Sequence, residues 1–301
     1  MNPCQLPPPL QSGDLLKVVA PCGAMREFEA FNKGVEIWQR RGYRVEISTS
    51  IEKRWGYLAG TDEIRRFELK EAWIDPNVKG ILCARGGYGS ARLLEDWDWG
   101  VGEGTHSPLP KWLIGFSDVT GLLWSLCNAG ISGVHGPLMT TIAEEPDWSI
   151  QRLFNWVERH SLEPLKGVGW GGGKVSGILL PVNLTVATNL LGTPIQPALD
   201  NIILALEDVT EAPYRIDRML TQWRLLGAFK NVRGIVLGRF SRCEPLPGIP
   251  SFTVEEVLHD RFSSLNIPII SDLPFGHDGP NAALPVGIMA HLDADQGILS
   301  F

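Results

Sequence analysis

The strongest constraint on this chain is the way its first half switches repeatedly between two hydrophobic periods. Short apolar runs at residues 15–20, 78–84 and 111–116 have the length and bounding turns of buried strands. Between them lie segments with apolar residues at helical spacing. In residues 27–41, Phe28, Phe31, Val35 and Trp38 share one face, and Gly42 is placed to end the helix. Residues 43–47 form a further strand. Thr61, followed by Asp62 and Glu63, opens a helix that runs to Trp73. A helix over 119–129 is closed by Gly130, and a strand follows at 131–134. Strand and helix alternating at these spacings predict right-handed βαβ crossovers and a parallel sheet.

The second half reads differently. The glycine-packed stretch 163–177 is the candidate linker, so a division near residue 165 is expected. Beyond it come an apolar strand at 201–207 with a sharp acidic end, a helix over 214–229, a strand at 234–237 and a helix over 254–263. Residues 284–292 and 297–301 read as the arms of a closing hairpin. The expected fold class is therefore α/β. A flavodoxin/Rossmann-like parallel-sheet domain spans 1–165, and a smaller, β-rich α/β domain spans 166–301.

Composition narrows the function. With 301 residues and 44% hydrophobic content the chain can bury a sizeable core. A net charge of −7 argues against a nucleic-acid partner, which would call for a basic patch. The start has no basic-then-apolar leader, and the uncharged stretch 177–199 is broken by Pro181, Pro194 and Pro197, so neither secretion nor membrane insertion is expected. Cys4, Cys22, Cys83, Cys127 and Cys243 are odd in number and widely spaced, which fits reduced thiols in the cytoplasm. Without HExxH or close His/Cys pairs, no metal and no cofactor is expected.

Four places could carry chemistry. In KWLIGFSDVTGLL, Ser117 stands at a strand-to-helix corner, the setting of a nucleophile elbow. There the helix N-terminus favours a developing oxyanion. Val119 stands where GxSxG would have glycine, and on this motif alone capping of the helix by Ser117 or Asp118 is the stronger reading. In ARGGYGSARLL, Arg85, Gly86, Gly87 and Gly89 follow a strand and form a candidate anion nest; a plain tight turn explains them as well. A P-loop lysine is missing, which disfavours a phosphate-binding protein. Glu207 and Asp208 end an apolar strand, where α/β proteins collect ligands, or else cap the next helix. Among six histidines, His277 in LPFGHDGP has the conspicuous loop setting, with His135 in VHGP its rival.

Taken together, GFSD after a strand, LED after a strand, LPFGH, ARGGYG and VHGP resemble the LD-carboxypeptidases, a serine peptidase family. The resemblance runs from Gly13-Asp14 to Leu284-Pro285-Val286-Gly287. It implies a two-domain homodimer acting on murein peptides, with Ser117 as nucleophile, Glu207 as acid and His277 as base. The candidate oxyanion donors are the backbone N–H groups of Asp118, Gly86 and Gly87, and Arg85 is a candidate partner for a substrate carboxylate. Where many relatives have Gly-Gly-Asn-Leu, this chain has Pro181-Val182-Asn183-Leu184, which leaves the pocket's shape open. Two rivals stand beside this reading. One is an aminoacyl-nucleotide hydrolase resembling the microcin-immunity proteins, kept in view by Trp97 and Trp99; the other is a non-catalytic binding protein.

Overall fold

Alternating elements of this kind can bury both faces of a sheet only by winding helices around it. The computed structural model describes residues 2–95, 97–101 and 109–301. The chain divides into two units, one of Cys4–Ser161 with Ala282–Val286, the other chiefly of Leu162–Asn281 with Gly287–Phe301.

In the first unit, β1 (Leu15–Val19) is followed by α1 (Phe28–Arg40), β2 (Arg44–Ile47), α2 (Asp62–Ile74) and β3 (Val78–Cys83). Then come β4 (Trp112–Gly115), α3 (Thr120–Asn128), β5 (Val134–His135) and α4 (Asp147–Arg159). Helix α1 buries Phe31, Val35 and Trp38 as the spacing requires, while Phe28 in its first turn stays exposed. Thr61 caps α2 by accepting from the Ile64 amide at 3.4 Å. The five strands pair in parallel in the order β2-β1-β3-β4-β5. This is the flavodoxin-like order, whose switch point lies between β1 and β3, and ligands gather outside the carboxyl ends of the strands there. The expected strand at 131–134 is displaced: Ile131 makes one isolated bridge to Gln5, and pairing with β4 begins at Val134.

The second unit contains β6 (Leu165–Lys166), β7 (Val168–Trp170), β8 (Lys174–Asn183), α5 (Leu184–Leu190), β9 (Ile202–Val209) and α6 (Pro213–Leu225). It continues with β10 (Gly234–Ser241), α7 (Val254–Phe262) and β11 (Ile269–Ser271). After β12 (Leu284–Pro285), the strands β13 (Met289–Asp293) and β14 (Ile298–Ser300) complete the chain. Its eight-stranded sheet runs β6-β14-β13-β8-β9-β10-β11-β7, parallel from β8 to β11 and antiparallel toward both edges.

Two expectations fail in this half. Residues 163–177 are not a linker. They form β6, β7 and the start of β8, and their glycines serve close packing. A Cβ on Gly167 would lie 2.1 Å from the Ser271 carbonyl oxygen, and one on Gly169 would lie 1.8 Å from that of Ala294. Nor is 284–292 one hairpin arm. Met289–Asp293 does pair with Ile298–Ser300, but β12 joins the first unit's sheet antiparallel to β5, and Gly287 at φ +80° bends the chain between them. A proline in β12 suits its place at a sheet edge.

Candidate active site

The first unit brings three loops to the carboxyl ends of its strands. Strand β4 ends at Gly115, and a single 3-10 turn over Ser117–Val119 leads into α3. Ser117 itself adopts φ +63°, in the left-handed region that non-glycine residues enter at a cost. That is the strained backbone of a serine elbow, reached here without the glycine at position 119 that GxSxG would supply. Neither Ser117 nor Asp118 caps a helix end here: the 3-10 turn and α3 have no side-chain N-cap bond.

The Asp118 side chain is buried and turned the other way, toward the glycine loop. Its Oδ2 accepts from the Ser90 amide at 2.8 Å, and the Ser90 hydroxyl donates back to the Asp118 carbonyl. Burial pushes the Asp118 carboxyl above its usual range, opposed by the Ser90 amide and the Cys22 thiol. Ser90 thus holds both the side chain and the backbone carbonyl of Asp118.

The loop after β3 approaches the serine closely. A Cβ on Gly86 would lie 3.0 Å from Ser117 Oγ, so the missing side chain is what gives the hydroxyl its room. Gly87 takes φ +111°, and the Gly86 carbonyl accepts from the Gly23 amide at 3.1 Å, tying the loops after β1 and β3 together. Arg85 donates to the Ala24 carbonyl at 2.6 Å and lies 3.6 Å from Glu27. Arg65, fully buried, donates to the carbonyls of Pro21 and Gly89 and braces the same two loops.

The second unit supplies an acid–imidazole pair. Glu207, near the end of β9, has no exposed surface, and its Oε2 lies 2.7 Å from His277 Nδ1. A neutral imidazole donating from Nδ1 presents Nε2 as a proton acceptor. Asn183, ending β8, donates to Glu207 Oε1 and to Asp208 Oδ1, both at 3.1 Å. Asp208 does not share the histidine. It accepts from the Thr185 amide and hydroxyl and from the Val209 amide, and burial raises its carboxyl to about 6.

The His277 loop is fastened through its carbonyls. Arg239 Nε and Ser241 Oγ both donate to the His277 carbonyl, at 2.8 and 2.7 Å, and Arg239 also reaches the carbonyls of Gly276 and Pro280. Gly276 takes φ +103°, and a Cβ there would lie 2.9 Å from that of Glu207. Arg239, Ser241, Asn183 and Ser90 went unnoticed in the sequence. Asn183 and Ser90 left signals only as members of the Pro-Val-Asn-Leu segment and the ARGGYGSARLL loop.

The rival residues take other places. His135 is buried in β5 against Phe116. Trp99 is a core residue, packed edge-on to Trp73 and Trp97 and donating to Ser125 Oγ at 2.9 Å, so it offers no stacking face. Among the described residues, no group of three or more His, Cys, Asp or Glu side chains could hold a metal ion, and no helix is long and apolar enough to cross a membrane.

A flavodoxin-like sheet with a strained serine at a strand end, followed by a second α/β unit in which a buried acid meets an imidazole, defines a two-unit mixed α/β class. Comparison with known proteins gives that class a family. Residues 16–136 match the LD-carboxypeptidase N-terminal domain, and residues 176–292 match the LD-carboxypeptidase C-terminal domain. A Synechocystis sp. protein with a provisional carboxypeptidase name is 57% identical over 98% of this chain and 96% of its own length. The murein tetrapeptide carboxypeptidase of Pseudomonas aeruginosa is 32% identical over 93% of each chain. Among solved structures, muramoyltetrapeptide carboxypeptidase from Oxalobacter formigenes has a TM-score of 0.80 at 29% identity, covering 95% of this chain and 97% of that one. The microcin C7 self-immunity protein MccF, in complex with aspartyl sulfamoyl adenosine, has a TM-score of 0.86 at 23% identity over 97% of each chain, a likeness of fold. The chain belongs to the LD-carboxypeptidase family.

Proposed function

We propose that this chain is a serine-type LD-carboxypeptidase that releases C-terminal D-alanine from murein tetrapeptides. In this reading the first domain, 1–165, carries the nucleophile Ser117, and the second, 166–301, carries Glu207 and His277. The observation that carries it is the contact of the buried Glu207 carboxylate with His277 Nδ1, which fits a tautomer whose Nε2 is the basic nitrogen. A serine hydroxyl needs such a base, because it is a poor nucleophile at neutral pH. His277 takes the Ser117 proton as Oγ attacks the scissile carbonyl and returns it to the leaving amine, while Glu207 holds the tautomer and stabilises the imidazolium. The acyl-enzyme is then hydrolysed by the same steps with water as nucleophile. The Asp118, Gly86 and Gly87 N–H groups are assigned to the oxyanion, on the evidence of the Gly86 approach to Ser117.

The terminal carboxylate of the substrate is assigned to Arg85. Its bond to Ala24 fixes the guanidinium beside the glycine loop, and a substrate carboxylate would replace the loose, half-exposed Glu27 contact. A cytoplasmic homodimer without cofactor completes the proposal. The test compares a murein tetrapeptide ending in D-alanine with its C-terminal amide and with the L-alanine isomer, with released amino acid measured by mass spectrometry. We expect the amide to lose roughly tens to thousands-fold in kcat/KM, since it leaves the part-buried guanidinium without its charged partner. Comparable turnover of all three would transfer the assignment to aminoacyl-nucleotide amides.

A further inference from the structure

Four of the five cysteines have no part in the chemistry above, and two of them lie against each other. Cys4 and Cys127 are 123 positions apart in sequence, yet their Sγ atoms are 3.3 Å apart, and Cys4 Sγ lies 3.5 Å from the Cys127 carbonyl. Cys4 sits in a strap, residues 4–10, that is fastened to the first unit by a short series of hydrogen bonds. The Gln5 amide donates to the Gly130 carbonyl at 2.7 Å, and the Ser132 amide donates to the Gln5 carbonyl at 2.9 Å. Further along, Trp112 Nε1 reaches the Pro8 carbonyl and the Leu10 amide reaches the Val157 carbonyl. Cys127 lies in the last turn of α3, the helix that begins just after the Ser117 turn.

We propose that Cys4 and Cys127 form a reversible disulfide under peroxide, stapling the strap to the end of α3. The sulfurs must close little more than ~1 Å to reach the ~2.05 Å of a disulfide. Gln5 is pinned by two backbone bonds and α3 is fixed in the core, so the closure falls to rotation of the two cysteine side chains about their Cα–Cβ bonds. Either sulfur can donate in their contact, which couples the two thiols, with Cys4 lowered and Cys127 raised; within the proposal Cys4 attacks first.

Cys4 Sγ attacks one peroxide oxygen and the O–O bond breaks. One water leaves with the Cys4 proton, and Cys4 becomes a sulfenic acid. Cys127 Sγ then attacks the Cys4 sulfur, the S–S bond forms, the S–O bond breaks, and a second water leaves with the Cys127 proton. Two thiols are oxidised and one peroxide is reduced to two waters. Cys22 and Cys83 also influence each other, but neither has any exposed surface. Cys22 and Cys83 lie near Asp118, and burial pushes both thiols well up, so peroxide should leave them intact.

The experiment treats the purified full chain with hydrogen peroxide, blocks residual thiols under denaturing conditions and measures intact mass and proteolytic peptides. The expected result is the loss of two hydrogens, a cross-linked peptide pair containing Cys4 and Cys127, and full reversal by dithiothreitol. Because the closed loop is long, the oxidised protein should melt roughly 5–10 °C higher than the reduced one. Cys4→Ser and Cys127→Ser should each abolish both the cross-link and the shift. Treated wild-type protein that keeps all its thiols, that links a different pair, or that joins two chains would overturn the proposal. None of these readouts depends on peptidase activity, so the proposal stands or falls separately from the proposed function.

Discussion

Ser117 and His277 make different demands on the fold, and substitution should separate them. Replacing either with alanine should lower kcat by roughly 10⁴-fold or more in the tetrapeptide assay, and the double variant should be little worse, because triad members act as a unit. Stability should divide the two. Ser117 holds a left-handed backbone, so Ser117→Gly should be as inactive as Ser117→Ala but up to about 1 kcal/mol more stable in urea unfolding. His277→Ala instead strips the imidazole from a carboxylate with no exposed surface and should cost about 3 kcal/mol. Wild-type turnover by Ser117→Ala would end the serine mechanism. Gly276→Ala tests the positioning of the pair without touching either member. Its φ is positive and its new Cβ would press on Glu207. We expect kcat to fall by more than tenfold with KM little changed; a parallel loss in both would mean that the loop shapes the substrate site instead.

At the scale of elements, the join between β9 and α5 has a pH dependence of its own. Asp208, near the end of β9, accepts from the Thr185 amide and hydroxyl in the first turn of α5, and burial raises its carboxyl from the usual 3.8 to about 6. Between those two values the folded protein keeps a proton that the unfolded chain has already lost. Raising the pH through that window therefore costs stability, by at most about 3 kcal/mol, and above 6 the loss is complete. Urea unfolding of wild type and Asp208→Asn at pH 4 to 7.5 checks this. The stability difference between them should change across the window and be flat above it; a difference independent of pH would show that the four donors around Asp208 keep it ionised. The elements themselves were largely legible in sequence, because β4 and the first five residues of β9 are continuous apolar runs and α1 and α2 carry their periodicity and end signals openly. The edge strands β6 and β7 were not. Their glycines look like a linker until the carbonyls of Ser271 and Ala294 are found where side chains would be.

For the molecule as a whole, the chain path matters more than any boundary. Residues 282–286 belong to the first unit although the residues on either side belong to the second. Leu284 and Pro285 pair with His135 and Val134, Ser132 Oγ donates to the Val286 carbonyl at 2.8 Å, and Arg152 Nε donates to that of Ala283 at 3.0 Å. A fragment of residues 4–161 lacks these partners and has an open edge at β5. At about 1 kcal/mol for each buried hydrogen bond, it should melt roughly 5–10 °C lower than the same fragment with 282–286 appended by a flexible linker. Equal melting temperatures in calorimetry would show that the returning strand adds nothing to this unit.

The sequence by itself determined the fold class and the candidate residues, because hydrophobic period and turn chemistry are local properties. Ser117, Glu207 and His277 could each be noticed from the few residues on either side, and the motifs taken together, through their family resemblance, gave them roles. Their supports could not. Asn183 reaches Glu207 across 24 positions, Ser90 reaches Asp118 across 28 and Arg239 reaches the His277 carbonyl across 38. Cys4 and Cys127 meet across 123, and β12 reaches β5 only after the chain has built most of another sheet. Pairings of that range carry no periodicity and no local motif. They are decided by how buried surfaces close on one another, and that is settled only in the tertiary structure.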